Sequence, residues 1–210
     1  MALRHAKLVA FDGTHASGKT TLIYAVAALL RRQGVHVTTL GEPARTSPLV
    51  DDVVIHKAAD FDMTLELDIF AAHITNSVRA VRSHEVVLCD KTPTNVLAYC
   101  KMLLHIEPGT WDAAMADAMD GFCRAWGQVY DAVFFCQDHY ATAQKGDKYR
   151  ARVADLQVQA DGLVRAEYRR LGQSIIEIPR GLDIDERGRW VVAQIKDLDL
   201  IEERNITDEH

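Results

Sequence analysis

One eight-residue segment near the start of the chain has the residue types and spacing of a phosphate-binding loop. It fits the pattern of glycine, four free positions, glycine, lysine and a hydroxyl residue, and its members are Gly13, Thr14, His15, Ala16, Ser17, Gly18, Lys19 and Thr20. Such a loop turns its backbone N–H groups toward phosphate oxygens, and the helix that follows presents the positive end of its dipole. We predict that Lys19 contacts the outer phosphates, that Thr20 binds Mg²⁺ and that Thr21 belongs to the nucleotide site.

Two carboxylates stand where later strands are predicted to end. Asp90 directly follows one apolar run, and Glu42 lies two residues beyond another. Because the carboxyl ends of parallel strands face the ligand crevice, we expect Asp90 to hold Mg²⁺ through water and Glu42 to orient an attacking hydroxyl or take its proton. The neighbouring cations, Lys91 and Arg45, would contact anionic groups of a substrate. Alternatively, Asp90 is an ordinary aspartate in the turn after a strand, and Glu42 and Arg45 form an ion pair in a surface loop.

A basic segment follows the fourth predicted strand. It contains Lys145, Lys148, Arg150 and Arg152. Phosphoryl transfer depends on positioning and on charge stabilisation around the γ-phosphate, so a segment of this kind can act as a lid that closes over ATP. We predict a lid over about residues 138–152, with Arg150 and Arg152 as its catalytic cations. A solvated run of charges is the alternative.

Short apolar runs alternate with helix-length segments through most of the chain. The predicted strands are Leu8–Phe11, Val35–Leu40, Val86–Cys89, Ala132–Cys136 and Ser174–Ile178, and the predicted helices are Thr20–Gln33, Leu65–Ser83, Asn95–His105, Trp111–Trp126 and Val153–Leu171. The strands lack polar alternation, which is typical of strands covered on both faces. We therefore predict an α/β fold with a doubly wound, five-stranded parallel sheet flanked by helices. Residues 1–201 would form a single domain, and residues 202–210 an acidic tail.

The composition of the chain limits the kinds of partner that it can bind. The chain has 210 residues and a formal net charge of −6, which argues against a nucleic-acid-coating or membrane-surface protein. Its longest purely apolar run is Ala25–Leu30, too short to cross a membrane. The cysteines lie in apolar surroundings without a CxxC pair, so we expect reduced thiols in a cytoplasmic protein.

Several segments, in order, resemble the thymidylate-kinase-like branch of the P-loop nucleoside and nucleotide kinases. They are the phosphate loop with its flanks (11–22), Glu42-Pro43, the segment Leu65–Ala72, the segment Asp90–Tyr99, and the run from Arg150 through Tyr168 to Ile178-Pro179. The resemblance implies ATP and Mg²⁺, with an acceptor held between Glu42, the helix predicted at Leu65–Ser83 and the Asp90–Tyr99 segment. It also implies that the segment Pro179–Asp183, including Arg180, lines the adenine, and that a homodimer can form.

The chain departs from that family where the acceptor binds. Lys91 replaces the usual arginine after the third-strand aspartate, so the planar two-pronged grip on phosphate is lost. The acceptor helix has Ala72-His73-Ile74 in place of an Asp-Arg pair, which argues against dTMP itself. His73 and Asn76 would either read another acceptor or face solvent. Two aromatic residues, Phe70 and Tyr99, would either stack on an acceptor base or pack in the core.

These residues favour an ATP-dependent kinase whose acceptor is a nucleoside or a nucleoside monophosphate. A hydroxyl acceptor and a phosphate acceptor both remain open. Two alternatives stand beside this hypothesis. One is a regulatory nucleotide-binding ATPase without a small-molecule acceptor, and the other is a kinase of a different metabolite.

Overall fold

Strands and helices alternate along the chain, as the sequence predicts. The computed structural model describes residues 6–56, 60–140 and 157–201. The strands are β1 (Lys7–Asp12), β2 (Val37–Leu40), β3 (Val86–Asp90), β4 (Ala132–Phe135) and β5 (Ile176–Glu177). The α-helices are α1 (Lys19–Arg32), α2 (Pro48–Val50), α3 (Met63–Ala80), α4 (Pro93–Leu103), α5 (Trp111–Trp126), α6 (Gln157–Arg170) and α7 (Ile184–Asp197). Short 3₁₀ turns at Pro43–Arg45 and Gly127–Val129 and a π-helical turn at Asp51–Ile55 complete the described elements.

The sheet has five strands in the order β2-β3-β1-β4-β5, and every neighbouring pair is parallel. Strand β1 lies at the centre, between β3 and β4. The order reverses on either side of β1, which creates a crevice at the carboxyl ends of the central strands. This arrangement confirms the predicted doubly wound parallel sheet.

Both faces of the sheet are covered, which explains why its strands are apolar without alternation. On one face Val9 and Phe11 of β1 pack with side chains of α1 and α7. On the other face Leu8 and Ala10 pack with side chains of α4 and α6. A third apolar cluster joins α3, α4 and α5 and includes Val50. That cluster holds together the helices that line the crevice next to the ends of β2 and β3.

Helix α7 was not predicted from the sequence. A capping box starts it: Asp183 accepts a hydrogen bond from the N–H of Glu186, whose carboxylate accepts one from the N–H of Asp183. Its apolar residues Val191 and Ile195 are fully buried against the sheet. The first half of the helix, Asp185–Arg189, is almost entirely polar or charged, which masks the helical pattern in the sequence.

Several predictions fall partly or wholly outside the described residues. The lid cations Arg150 and Arg152 and the acidic tail 202–210 lie there, as do the first residues of the helix predicted from Val153. All four cysteines are described and buried, which agrees with their predicted place in the core. No helix in the described ranges is long and apolar enough to cross a membrane.

Candidate active site

The phosphate loop joins β1 to α1, and its two glycines have conformations that other residues rarely adopt. Gly13 has a φ of +129°, and a Cβ there would lie 2.6 Å from the carbonyl oxygen of Cys136. Gly18 has a φ of +79°, and a Cβ there would meet Tyr140 at 3.0 Å and Arg187 at 3.1 Å. Only glycine avoids both the backbone strain of a positive φ and these close contacts. Glycine at these two positions therefore lets the backbone wrap closely around a ligand.

Lys19, at the start of α1, lies folded against the loop. Its ammonium group donates hydrogen bonds to the carbonyl oxygens of Gly13 (3.1 Å) and Thr14 and to Ser17 Oγ (3.2 Å). Burial lowers the pKa of Lys19 below its ordinary value, although the nearby Asp90 carboxylate opposes that shift. A bound phosphate would replace these carbonyl acceptors with charged oxygen atoms, and it would favour the protonated, positively charged form of Lys19.

Thr20 and Asp90 provide the oxygen atoms that a magnesium ion would need. The Thr20 hydroxyl donates to Asp90 Oδ2 at 2.6 Å, while Asp90 Oδ1 is buried and has no hydrogen-bond partner among the residues that the structure describes. Burial raises the pKa of Asp90 and Lys19 counteracts this. Mg²⁺ typically takes one or two protein oxygens and completes its shell with phosphates and water, so this pair fits the ion. The described ranges contain no cluster of three or more His, Cys, Asp or Glu side chains that could hold a metal.

Glu42 is the centre of a buried charge cluster at the end of β2. Lys91 Nζ lies 2.7 Å from Glu42 Oε1, and Arg45 Nε lies 3.3 Å from Oε2. Burial opposes ionisation of Glu42, but the positive charge of Lys91 and its hydrogen bond hold the pKa of Glu42 well below its ordinary value. In return, Glu42 outweighs the effect of burial on Lys91 and raises the pKa of that side chain. The cluster therefore keeps its charges across the physiological pH range.

A pocket of about 90 Å³ opens beside this cluster, between α3 and α4. Its charged and polar lining includes His15, Glu66, His73 and Tyr99 together with Glu42, Arg45, Lys91 and Asn95. Burial lowers the pKa of His73 to about 3, helped by Lys91, and likewise lowers that of His15 to about 3. Burial also raises the pKa of Glu66 to about 7; Lys91 opposes this rise and Asp62 adds to it. Near neutral pH these histidines are uncharged and a large fraction of Glu66 carries its proton.

A larger cavity of about 680 Å³ lies on the other side of the phosphate loop. Loop residues and the start of α7 line it, including Gly181, Leu182 and Arg187. Arg187 is only 1% exposed; it donates to the Tyr140 hydroxyl (2.8 Å) and to the carbonyl oxygen of Ser17 (3.4 Å), and it lies 3.9 Å from Asp138. The guanidinium thus joins the phosphate loop to the chain that follows β4.

Three cavities lie in series within the described residues. The cavity beside Arg187 shares Ala16, Gly18 and Thr21 with a small cavity of about 40 Å³ over the phosphate loop. That small cavity shares His15, Glu42 and Arg45 with the α3–α4 pocket. Glu42 therefore stands between the place for phosphates and the pocket beyond it.

The structure places three predicted contact residues away from these cavities. Phe70 is 6% exposed and packs edge-to-face against Phe122 with ring centroids 5.6 Å apart, which matches the core-packing alternative. Asn76 is half-buried but lies outside the lining of the α3–α4 pocket. Arg180 is exposed, and its neighbours Gly181 and Leu182 line the large cavity instead. Arg150 and Arg152 lie outside the described residues.

Asp12 is a central residue that our sequence reasoning did not assign to the site. Its carboxylate is fully buried and accepts hydrogen bonds from the N–H of Gly13, Asn95 Nδ2, the Thr92 hydroxyl and the Tyr168 hydroxyl. One side chain thereby fixes the phosphate loop, the β3–α4 connection and α6. A buried carboxylate with four donors is strongly held. The position of Asp12 directly before the phosphate loop is the feature of the sequence that could have assigned it to the site.

The loop, the parallel sheet and the carboxylates at its carboxyl edge define a P-loop domain. A family model described as an AAA domain matches residues 8–187, and the chain belongs to that family.

Sequence relatives refine this assignment. Curated proteins named thymidylate kinase are 36% identical over 102 residues in Polaromonas sp. (strain JS666 / ATCC BAA-500), 35% over 103 in Paracidovorax citrulli (strain AAC00-1) and 37% over 98 in Albidiferax ferrireducens (strain ATCC BAA-621 / DSM 15236 / T118). These matches span 43 to 46% of this chain and 44 to 46% of the relatives, less than half of either. They confirm the resemblance to the thymidylate-kinase-like branch.

Solved structures show the same fold. The thymidylate kinase from Candida albicans matches with a TM-score of 0.65 and 16% identity, covering 96% of each chain. The NadR protein, solved in complex with NR, matches with a TM-score of 0.68 and 13% identity, covering 98% of this chain and 55% of that one. The fold is therefore that of kinase-like P-loop proteins.

Proposed function

We propose that this chain transfers the γ-phosphoryl group of ATP to a small acceptor of the nucleoside or nucleoside-monophosphate class. The observation that carries the proposal is the series of three cavities, with the phosphate loop in the middle and Glu42 at the passage to the third. ATP would lie in the first two cavities, and the acceptor would occupy the α3–α4 pocket. This arrangement would bring two reactants to one point, which a protein that only binds a nucleotide does not need.

The residues of the chain have separate tasks in this reaction. The backbone of the loop and Lys19 would hold the phosphates, while the base would lie beside Gly181 and Leu182. Thr20 and Asp90 would hold Mg²⁺, which when bound neutralises charge on the phosphates. Glu42 would orient the acceptor. The predicted lid, with Arg150 and Arg152, would supply further positive charge; this part of the proposal rests on the sequence.

Steady-state ADP release tests the proposal. The full chain is incubated with MgATP and a panel of nucleosides, ribosides and nucleoside monophosphates. We expect at least one acceptor to raise the rate of ADP release far above that with ATP alone. Lys19→Ala should abolish the stimulation, while Lys196→Ala, a lysine on α7 remote from the loop, should keep it. ADP release that no acceptor changes would contradict the proposal and favour a regulatory ATPase.

A further inference from the structure

The cations that line the α3–α4 pocket are already paired. Among the described lining residues they are Lys91 and Arg45, and both contact the carboxylate of Glu42. Lys91 and Glu42 have side chains only 7% and 9% exposed, so water screens their interaction poorly. Two cations and one carboxylate leave this group with one net positive charge, whereas a phosphate monoester entering the pocket would carry about two negative charges and would compete with Glu42 for both cations. A phosphate acceptor would therefore have to displace or share the contacts that Lys91 and Arg45 make with Glu42, which an uncharged acceptor does not require.

The same pocket presents buried polar groups deeper along α3. Glu66 and His73 lie seven residues apart on one face of this helix, about 10 Å along its axis, and are 3% and 5% exposed. Among the described residues, His73 Nε2 and the hydroxyl of Tyr99 on α4 are buried without a hydrogen-bond partner. Leaving such a group unpaired costs about 1–3 kcal/mol, which a bound ligand with matching donors and acceptors would offset.

The rest of the wall is apolar and includes Val50, Ile69, Val96 and Leu103. A pocket with apolar sides and a few polar groups suits a ring with a polar edge. We propose that the acceptor is an uncharged, ring-containing molecule with a free hydroxyl group, a nucleoside or related riboside that carries no phosphate. Glu66, His73 and Tyr99 bind the polar edge of the ring, and Glu42 receives the hydroxyl. This inference rests on the proposed function and narrows its acceptor.

The reaction at the hydroxyl then balances as follows. The acceptor oxygen bonds to the γ-phosphorus of ATP while the bond from that phosphorus to the β,γ-bridging oxygen breaks, and ADP leaves with that electron pair. The hydroxyl proton passes to the Glu42 carboxylate and then to water. A carboxylate with a low pKa is a weak base, but the transition state of phosphoryl transfer is loose and needs little deprotonation of the attacking oxygen. Glu42 acts mainly by orienting that oxygen.

Matched acceptor pairs test this inference directly. Phosphorus NMR follows the full chain with MgATP and each nucleoside or its 5′-monophosphate at equal concentration. We expect a new phosphomonoester from a nucleoside at a rate at least about tenfold above that of any diphosphate from the matched monophosphate. Phosphorylation of monophosphates in preference to nucleosides would overturn the inference while the proposed function stands. Absence of product from both classes would overturn the proposed function, and the inference with it.

Variants on α3 test how the ring edge is bound. Losing one such hydrogen bond typically weakens binding about 2- to 10-fold, so Glu66→Leu and His73→Leu should each raise KM for the acceptor by about that factor and change kcat less. Glu66→Gln keeps a polar group of the same size and should restore most of the loss. Asp68→Asn, an exposed position on the same helix, is the control. An unchanged acceptor KM in both leucine variants, with their folding confirmed by thermal unfolding, would refute these contacts.

Discussion

Replacing Glu42 by glutamine would remove one charge from the buried group that lies between the cavity over the phosphate loop and the α3–α4 pocket. Removing one partner of a buried ion pair generally costs about 3–5 kcal/mol. Glutamine retains an oxygen that can accept from Lys91 Nζ, which now lies 2.7 Å from the carboxylate, so we expect a loss of about 2–3 kcal/mol. For a chain of this size that loss lowers Tm by about 5–10 °C.

The same substitution should reduce turnover independently of stability. Removing a positioned acid–base group typically lowers the rate about 10²- to 10⁴-fold, and we expect the lower end because the proposed task of Glu42 is mainly to orient the acceptor. Thermal unfolding gives Tm, and initial rates of acceptor phosphorylation are measured well below the Tm of each variant. Glu107→Gln, at a side chain 70% exposed, is the matched control and should change neither quantity.

A double substitution separates charge balance from catalysis. Replacing Lys91 by methionine in the Glu42→Gln chain removes the unpaired cation, so it should recover most of the lost stability. It should not recover turnover. Wild-type turnover in Glu42→Gln, or recovery of turnover along with stability in the double variant, would refute the orienting role of Glu42.

Three further outcomes follow from the geometry. Gly13→Ala, with its Cβ 2.6 Å from a carbonyl oxygen of Cys136, should abolish nucleotide binding measured by calorimetry, whereas Gly109→Ala, also at positive φ but in open space, should retain it. Burial raises the pKa of Glu66 from 4.5 to about 7, so between these pH values the folded state binds one more proton than the unfolded state. The contribution of Glu66 to the free energy of unfolding therefore falls as pH rises through that window, by at most about 3 kcal/mol. Urea unfolding should therefore show Glu66→Gln gaining stability over wild type from pH 4.5 to 8, and a constant difference would contradict this. Asp12→Asn places an amide against four donors and should lower the free energy of unfolding by about 3 kcal/mol; a loss below about 1 kcal/mol in the same assay would refute its anchoring role.

Much of the fold could be predicted because the strands are continuous apolar runs and the helices have clear apolar stripes. The loop motif places its own residues, and the rule that strand ends face one crevice brings Asp90, Lys91, Glu42 and Arg45 toward it. The structure indeed joins Glu42 to both Lys91 and Arg45, and Asp90 to Thr20.

Other features depend on tertiary packing that a sequence pattern does not contain. Glu66 looks like an ordinary polar residue between two leucines, and only the packing of α3 on α4 shows that it lines a pocket. Phe70 and His73 lie three residues apart on α3, yet Phe70 packs against α5 while His73 lines that pocket. Arg187 belongs to a helix that the sequence pattern did not reveal. Its burial beside the loop arises because α7 packs against α1.

Direct transfer of a γ-phosphoryl label tests the central claim most closely. The full chain is incubated with γ-³²P-labelled ATP, Mg²⁺ and nucleosides, and the products are separated by chromatography. Our account predicts label in an organic phosphate ester, equimolar with the ADP formed and absent with Lys19→Ala. Label that appears only as inorganic phosphate, at a rate that no acceptor alters, would contradict it.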